Sequence, residues 1–474
     1  MNNIYLGQVA TRLTLARTVL VLALVCSSVL TLASRAYADG DRYTVIKTKK
    51  AVTVGGDEID DASIVIVDGK IEAVGKNVDY PSDSIVIDAT ELTAMPGMIN
   101  PRTSIGQQLP NNRGNKSNFL VKDEFELPED ETYRDLLKAG YTLLGVLPNG
   151  SGLPGQALVV STHDAKADAG IRDEGLVRIT FGRPPNEKNA LRAVLKEAEK
   201  AIKAEKEAKE KAEKEAEAKK KEAASKPKEK KKEENKQEGK DGKEKEKGEG
   251  KEKKPTSQPA SKPSKKKEEK KEEKKFEIKD ELKAPVKLLK KDEAVVALVE
   301  FARASDVLHF VEAIEGFEFA QRYAFASRGY DDLHNIIEHP LIGGADATVM
   351  LKPLLPRMPL TVNPYNLARE LIEEGCTVGF YPLSDNVREH ETMRERVALL
   401  TRAGLKREDA LKALTLVPAQ YLGLEKQYGT LEKEKVADVV LLDGDPLDPF
   451  AKVQMVVIGG KVVFDRAAEE KDKR

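Results

Sequence analysis

Ala94-Met95-Pro96-Gly97-Met98-Ile99-Asn100-Pro101-Arg102-Thr103-Ser104 stands where two kinds of sequence meet. Before it, residues 43–93 alternate in short apolar runs broken by turn signals. Val52-Thr53-Val54 meets Gly55-Gly56, and Ala62-Ser63-Ile64-Val65-Ile66-Val67 meets Asp68-Gly69-Lys70, with Ile71-Glu72-Ala73-Val74 following. An Asp-Gly step between alternating runs marks a hairpin, so a small antiparallel sheet is expected. After the quoted stretch, strand-like segments (141–147, 156–161, 176–181, 293–300, 347–351, 377–381) alternate with helix-like ones (305–314, 364–374, 386–403). That alternation implies a parallel sheet or a barrel. No Gly-x-Gly-x-x-Gly turn follows a strand, so a dinucleotide-binding fold has no support and the barrel is preferred.

The β-rich pattern returns at the far end of the chain. Residues 437–442 and 453–458 are strand-like, and Gly459-Gly460-Lys461 supplies a turn before Val462-Val463-Phe464. Two sheets of three short strands at opposite ends of a chain can each bury a face by meeting. A composite β-sandwich from residues 39–98 and 428–467 is therefore expected, beside a barrel from residues 99–188 and 281–427.

Residues 1–38 read as a secretory signal. Arg12 and Arg17 precede the apolar run 18–33, and the small-residue site Ala36-Tyr37-Ala38 stands ahead of Asp39. The run is shorter than the ~20 residues a membrane span needs. Cleavage after Ala38, no stable span thereafter, and a secreted or periplasmic location are expected. Cys376 would then be the single cysteine, so stability has to come from packing rather than an internal disulfide.

The formal net charge of −1 conceals an asymmetry: residues 201–280 hold 30 Lys against 20 Glu and 2 Asp. Residues 189–223 have helix-favourable Ala, Lys and Glu with many Glu-to-Lys pairs four apart. Beyond Ser225 the composition cannot bury enough apolar surface to order itself. The segment 189–280 thus reads as an insertion, a solvated helix and then a disordered loop, at a modest loop-closure cost. Its positive excess could give weak attraction to anionic envelope surfaces, or the segment could be a solvated spacer. The interleaved Glu and scarcity of aromatic residues argue against nucleic-acid binding.

Together these residues resemble the amidohydrolase superfamily, and its secreted imidazolonepropionase-like, cyclic-amide hydrolase members in particular. The resemblance is carried by Ala410-Leu411-Lys412-Ala413-Leu414-Thr415, Pro418-Ala419-Gln420-Tyr421-Leu422-Gly423-Leu424, Gly429-Thr430-Leu431 and Ala437-Asp438-Val439-Val440-Leu441-Leu442-Asp443. Gly140-Tyr141-Thr142-Leu143-Leu144, the Gly-rich tract 148–156 and the Pro-Gly-hydrophobic-Ile of the quoted stretch extend it over nearly all of residues 45–464 outside the insertion. It implies an α/β fold with a (β/α)8-like barrel, an active site at the C-terminal ends of the barrel strands, and zinc-assisted hydrolysis of non-peptide C–N bonds.

The ligand positions that the resemblance implies are largely occupied by other residues. The first-strand His-x-His falls on Arg102-Thr103-Ser104, preceded by Asn100 where the family has Asp. The fifth-strand His falls on Glu300 and the sixth-strand His on Ser327 or Arg328, whereas the eighth-strand acid remains as Asp385. The chain's five histidines, His163, His309, His334, His339 and His390, form no His-x-His, and each reads as a surface or capping imidazole. A permanently charged Arg102 would repel a dication at short range. Zinc is therefore implied by resemblance alone, and no metal ligand is assigned.

Two readings of the charged residues stay open. Arg102, with Arg328, could pair with Asp385 and Glu300 as an ion-pair plug, or each could be a strand-end charge reaching water. Three functions follow. The first is a hydrolase with degraded metal-dependent activity in which Asp385 is the general base. The second is a non-catalytic secreted module that binds an anionic small molecule through Arg102, Glu300 and Arg328. The third is an envelope-associated protein acting through its insertion.

Overall fold

The computed structural model describes residues 43–106, 110–126, 131–163, 170–181, 186–224, 277–326, 330, 332–344, 347–358 and 360–472. The expected signal segment 1–38, residues 225–276 of the insertion, Ser327 and Arg328 lie outside the described residues.

The two ends of the chain build one sheet. β1 (Tyr43–Val52) pairs antiparallel with β2 (Glu58–Val67), which returns through Asp68-Gly69 to β3 (Lys70–Lys76). Asp68 and Gly69 have φ of 49° and 78°, the double positive-φ turn expected of an Asp-Gly step. β4 (Ile85–Pro96) lies parallel to β1 on one edge and antiparallel to β15 (Val439–Leu442) on the other. β16 (Val453–Ile458) and β17 (Lys461–Asp465) complete the order β17-β16-β15-β4-β1-β2-β3.

The expectation of two three-stranded sheets is thereby corrected to one continuous seven-stranded sheet. The cause is β4, a 12-residue strand whose outer edge takes Val439 opposite Pro96 and Leu442 opposite Thr93. Joining edge to edge satisfies backbone groups that would otherwise be left unpaired. Ile46, Ile64, Ile66 and Ile71 pack with Ala437, Val439, Leu441 and Val457 to fill the core of this sheet from both termini.

Gly97 is the joint between sheet and barrel. Its N–H donates to Asp438 O at 3.0 Å, and a Cβ there would lie 2.1 Å from Thr142 Oγ1, so only glycine lets the chain pass. β5 (Met98–Thr103) follows and runs parallel to β7 (Tyr141–Val146). Five further strands run parallel in succession: β10 (Leu176–Phe181), β11 (Val296–Phe301), β12 (Gln321–Phe325), β13 (Thr348–Leu351) and β14 (Thr377–Phe380).

The third position of the ring departs from the all-parallel pattern. There β8 (Gly150–Gln156) pairs antiparallel with β10, and β9 (Leu158–Ser161) antiparallel with β7. Only residues 147–149 connect β7 to β8, too few for a crossover helix, so the chain reverses direction before β8 and β9. The short β6 (Asn112–Asn115) adds parallel to β8 at its outer edge. Between β14 and β5 the backbone of Ala413 and Leu414 carries the ring on, accepting from Phe380 N–H at 2.8 Å and Ile99 N–H at 3.2 Å.

Strand alternation sorts the side chains. Val296 and Leu298 point inward with Leu176, Ala324 and Met350, and helix Leu416–Leu422 fills the interior with Val417, Ala419 and Tyr421. Ala297, Val299 and Phe301 face the outer core with Phe310, Tyr323 and Phe325. With a period of two, the next inward residue of β11 after Leu298 is Glu300. The helix Asn186–Ala224 covers the expected span and docks by Leu191, Leu195 and Ala198, all buried, while Glu205 pairs with Lys290 at 2.6 Å. Among the described residues no helix is long and apolar enough to cross a membrane.

Candidate functional site

The C-terminal ends of β5, β10, β11 and β14 bring a charged group into the barrel mouth. Glu300, 8% exposed, is held by two guanidinium groups. Arg102 donates through Nη2 to Oε1 at 2.5 Å and through Nε to Oε2 at 3.2 Å. Arg178 donates through Nη2 and Nε to Oε2 at 2.6 and 3.2 Å. Such multiply bonded guanidinium–carboxylate contacts are the strongest kind of charge-assisted hydrogen bond. Burial alone would raise the Glu300 pKa, but the positive fields of Arg178 and Arg102 and their hydrogen bonds hold it down at about 2. Arg102 is held above its ordinary value: burial works to lower it, and Glu300 more than offsets that.

The ring of Tyr381 lies 5.2 Å from the Arg102 guanidinium, a cation–π contact, and its phenol donates to Phe325 O at 2.6 Å. Burial pushes the Tyr381 phenol pKa up, so it stays a neutral donor. Beside Glu300 a cavity of about 490 Å³ opens, lined among others by Arg113, Ser151, Arg178, Thr180 and Glu187.

Asp385 serves a different partner from the one expected. Its Oδ1 accepts from Thr103 Oγ1 at 2.6 Å, and its Oδ2 accepts from Ser104 Oγ at 2.6 Å and Ser104 N–H at 3.0 Å. The expected pairing of Arg102 with both carboxylates is therefore corrected: Arg102 turns inward to Glu300, while Thr103 and Ser104 at the strand tip take Asp385. The register of β5 against β7 shifts between Asn100 and Thr103, which lets successive residues serve these two carboxylates. The expected partner Arg328 lies outside the described residues. Arg178 is the second cation actually bound to Glu300, and its signal was a lone charge in the apolar strand Leu176-Val177-Arg178-Ile179-Thr180-Phe181.

His390 also departs from its reading as a surface or capping imidazole. It is 1% exposed, and its Nε2 lies 2.9 Å from Nδ2 of Asn100, which is wholly buried. Its Nδ1 lies 3.0 Å from Asn386 O. The one tautomer that satisfies both contacts carries its proton on Nδ1 and accepts at Nε2 from Asn100. Burial lowers the His390 pKa below its ordinary value, which favours this neutral form. Asn100 Oδ1 accepts from Arg102 N–H at 3.1 Å, so His390 reaches the mouth through Asn100. The sequence signal was His390-x-x-Met393-x-x-x-Val397-x-x-Leu400, a helix stripe whose other members are buried.

A zinc site needs neutral imidazoles and carboxylates with free lone pairs. Glu300 gives both oxygens to guanidinium groups, Asp385 gives both to the tip of β5, and the acceptor nitrogen of His390 faces Asn100. Among the described residues no three His, Cys, Asp or Glu side chains converge to hold a metal ion. The described residues of the mouth do not fit the group.

Residues 375–464 match the model of the amidohydrolase family Amidohydro_3. An amidohydrolase from Thermotoga maritima MSB8 superposes with a TM-score of 0.66 at 19% identity, covering 89% of this chain and 100% of its own. A beta-aspartyl dipeptidase from Fervidobacterium islandicum AW-1 is similar at 14% identity and a TM-score of 0.49 (89% and 97% covered). A zinc-bound adenosine deaminase from Xanthomonas campestris is similar at 14% identity and a TM-score of 0.45 (90% and 96% covered). No curated protein matches the chain. The fold is that of the Thermotoga amidohydrolase, and the C-terminal tract 375–464 is similar to the Amidohydro_3 family.

Proposed function

We propose that this protein is an exported amidohydrolase-superfamily member whose barrel mouth binds the anionic group of a small molecule rather than carrying out metal-assisted hydrolysis. The observation that carries this reading is Glu300 shared between Arg102 and Arg178. Two guanidinium groups against one carboxylate leave an excess positive charge beside a cavity of small-molecule size, and the low dielectric of a part-buried site strengthens its pull on an anion. Asp385 in this reading is a clamp on the tip of β5, holding Thr103 and Ser104 so that Arg102 stays aimed inward.

Isothermal titration with acetate, succinate and benzoate tests it. At least one should bind the wild-type protein, and Arg102→Ala should weaken that binding by about tenfold or more, the scale of one charge-assisted hydrogen bond. Equal binding by the variant, or no binding to either, would remove the reading. A second reading, retained hydrolysis of a cyclic amide with Asp385 as general base, is favoured by the survival of that acid just beyond β14 within the matched tract. It requires turnover that Asp385→Asn abolishes.

A further inference from the structure

The loop between β13 and helix Leu367–Glu373 carries an exposed apolar tip. Leu355 and Met358 are each 38% exposed, Val362 is 79% exposed, and Leu360 is fully in water. Monomeric surfaces rarely gather apolar side chains this way without a use for them. The loop is also built rather than slack. Met358 N–H donates to Asn363 O at 2.9 Å, Tyr365 N–H to Pro356 O at 2.9 Å and Thr361 N–H to Met358 O at 3.1 Å. Its base is fixed by Tyr365 Oη donating to Tyr330 O at 2.6 Å and by Lys352 N–H donating to Tyr330 Oη at 2.5 Å. Leu360 has a φ of 61°, a left-handed conformation that costs a branched side chain energy and turns it outward.

The charge of the loop is one-sided. In a chain with 80 acidic residues, positions 347–369 contain none, but they do contain Lys352, Arg357 and Arg369. Arg369, at the helical end, pairs with Glu373 at 3.5 Å, whereas Arg357 is exposed beside the apolar tip. We propose that this loop docks the barrel mouth onto an anionic lipid bilayer, with Leu360 and Val362 entering the acyl boundary and Arg357 meeting a lipid phosphate. Apolar insertion combined with a basic flank is the chemistry of interfacial membrane binding. A convex tip of four side chains is far below the ~800 Å² per partner of a stable protein interface, whereas a fluid bilayer needs no matching surface. β11, β12 and β13 are parallel, so the loop leaves the same end of the barrel as Glu300, and docking would set the mouth toward the membrane.

The test is co-sedimentation of protein lacking residues 1–38 with vesicles of phosphatidylglycerol and phosphatidylcholine, against phosphatidylcholine alone. The wild-type protein should bind the mixed vesicles more tightly. Leu360→Asp combined with Val362→Asp should weaken that binding by about a hundredfold while leaving the thermal midpoint unchanged. Arg357→Gln should weaken it by about fivefold and reduce its salt dependence. Failure of the wild-type protein to bind anionic vesicles would overturn the proposal. So would binding that survives the double substitution, which would assign the attraction to the Lys-rich insertion. A change of oligomeric mass in the double variant without loss of vesicle binding would make a second copy the partner and likewise overturn it.

Discussion

Replacing Glu300 with Gln keeps the shape of the side chain and removes the charge that two guanidinium groups share. Breaking a buried ion pair from one side costs about 3–5 kcal/mol, because the remaining charges stay desolvated without compensation. The proton linkage gives a similar size. The Glu300 pKa lies at about 2 in the folded protein against an ordinary 4.5, which corresponds to about 3 kcal/mol of stability. A carboxyl whose folded pKa is depressed contributes that stability in full above its unfolded pKa and loses it as pH falls through the folded one. Urea unfolding of wild type and Glu300→Gln should therefore differ by about 3 kcal/mol at pH 6, and the difference should shrink between pH ~4.5 and ~2 as protonated Glu300 comes to resemble Gln. An absent difference at pH 6, or one that does not shrink in acid, would refute the ion-pair account of the mouth.

Two further perturbations follow from buried groups. His390→Leu removes the acceptor for Asn100, and the lost hydrogen bond and packing should cost about 2–4 kcal/mol in chemical unfolding. Because the folded His390 pKa is depressed, wild-type stability from this group is full above the unfolded value near 6.5 and declines as pH falls below it. The variant should lack that part of the decline. Asp438, buried beside the Gly97 joint, behaves in the opposite sense: burial pushes its pKa up to about 7 from 3.8. Its raised folded pKa means stability is lost as pH climbs from ~4 to ~7. Asp438→Asn, which retains an acceptor for Gly459 N–H, should unfold at a higher temperature than wild type at pH 8 and gain little at pH 4. An equal midpoint at pH 8 would count against a buried ionised carboxylate there.

How much of this was legible depended on whether the information was local. The turn at Asp68-Gly69 and the strands of both termini are local patterns, and they are found in place. That the terminal strands share one sheet rests on the edge of β4 meeting β15, a pairing that spans most of the chain. The antiparallel third strand was legible in principle, since residues 147–149 are too few for a helical crossover. Glu300 was placed by the resemblance, at the fifth-strand histidine position. Its true second partner, Arg178, required the face of β10 to be known as well as its residues. Arg102 and Ser104 were read at the lost ligand positions, and the shifted register of β5 shows Ser104, together with Thr103, as the donors that occupy Asp385. His390 was misread because the residue that buries its Nε2, Asn100, lies 290 positions away.

The central claim is that an arginine-held carboxylate, not a metal, organises the barrel mouth. Elemental analysis of protein expressed with zinc supplied, purified without chelator and passed through gel filtration tests it most directly. The account predicts zinc far below one equivalent per chain, at the same level in wild type and Asp385→Ala. Zinc retained at one or two equivalents in wild type and lost in Asp385→Ala would contradict it.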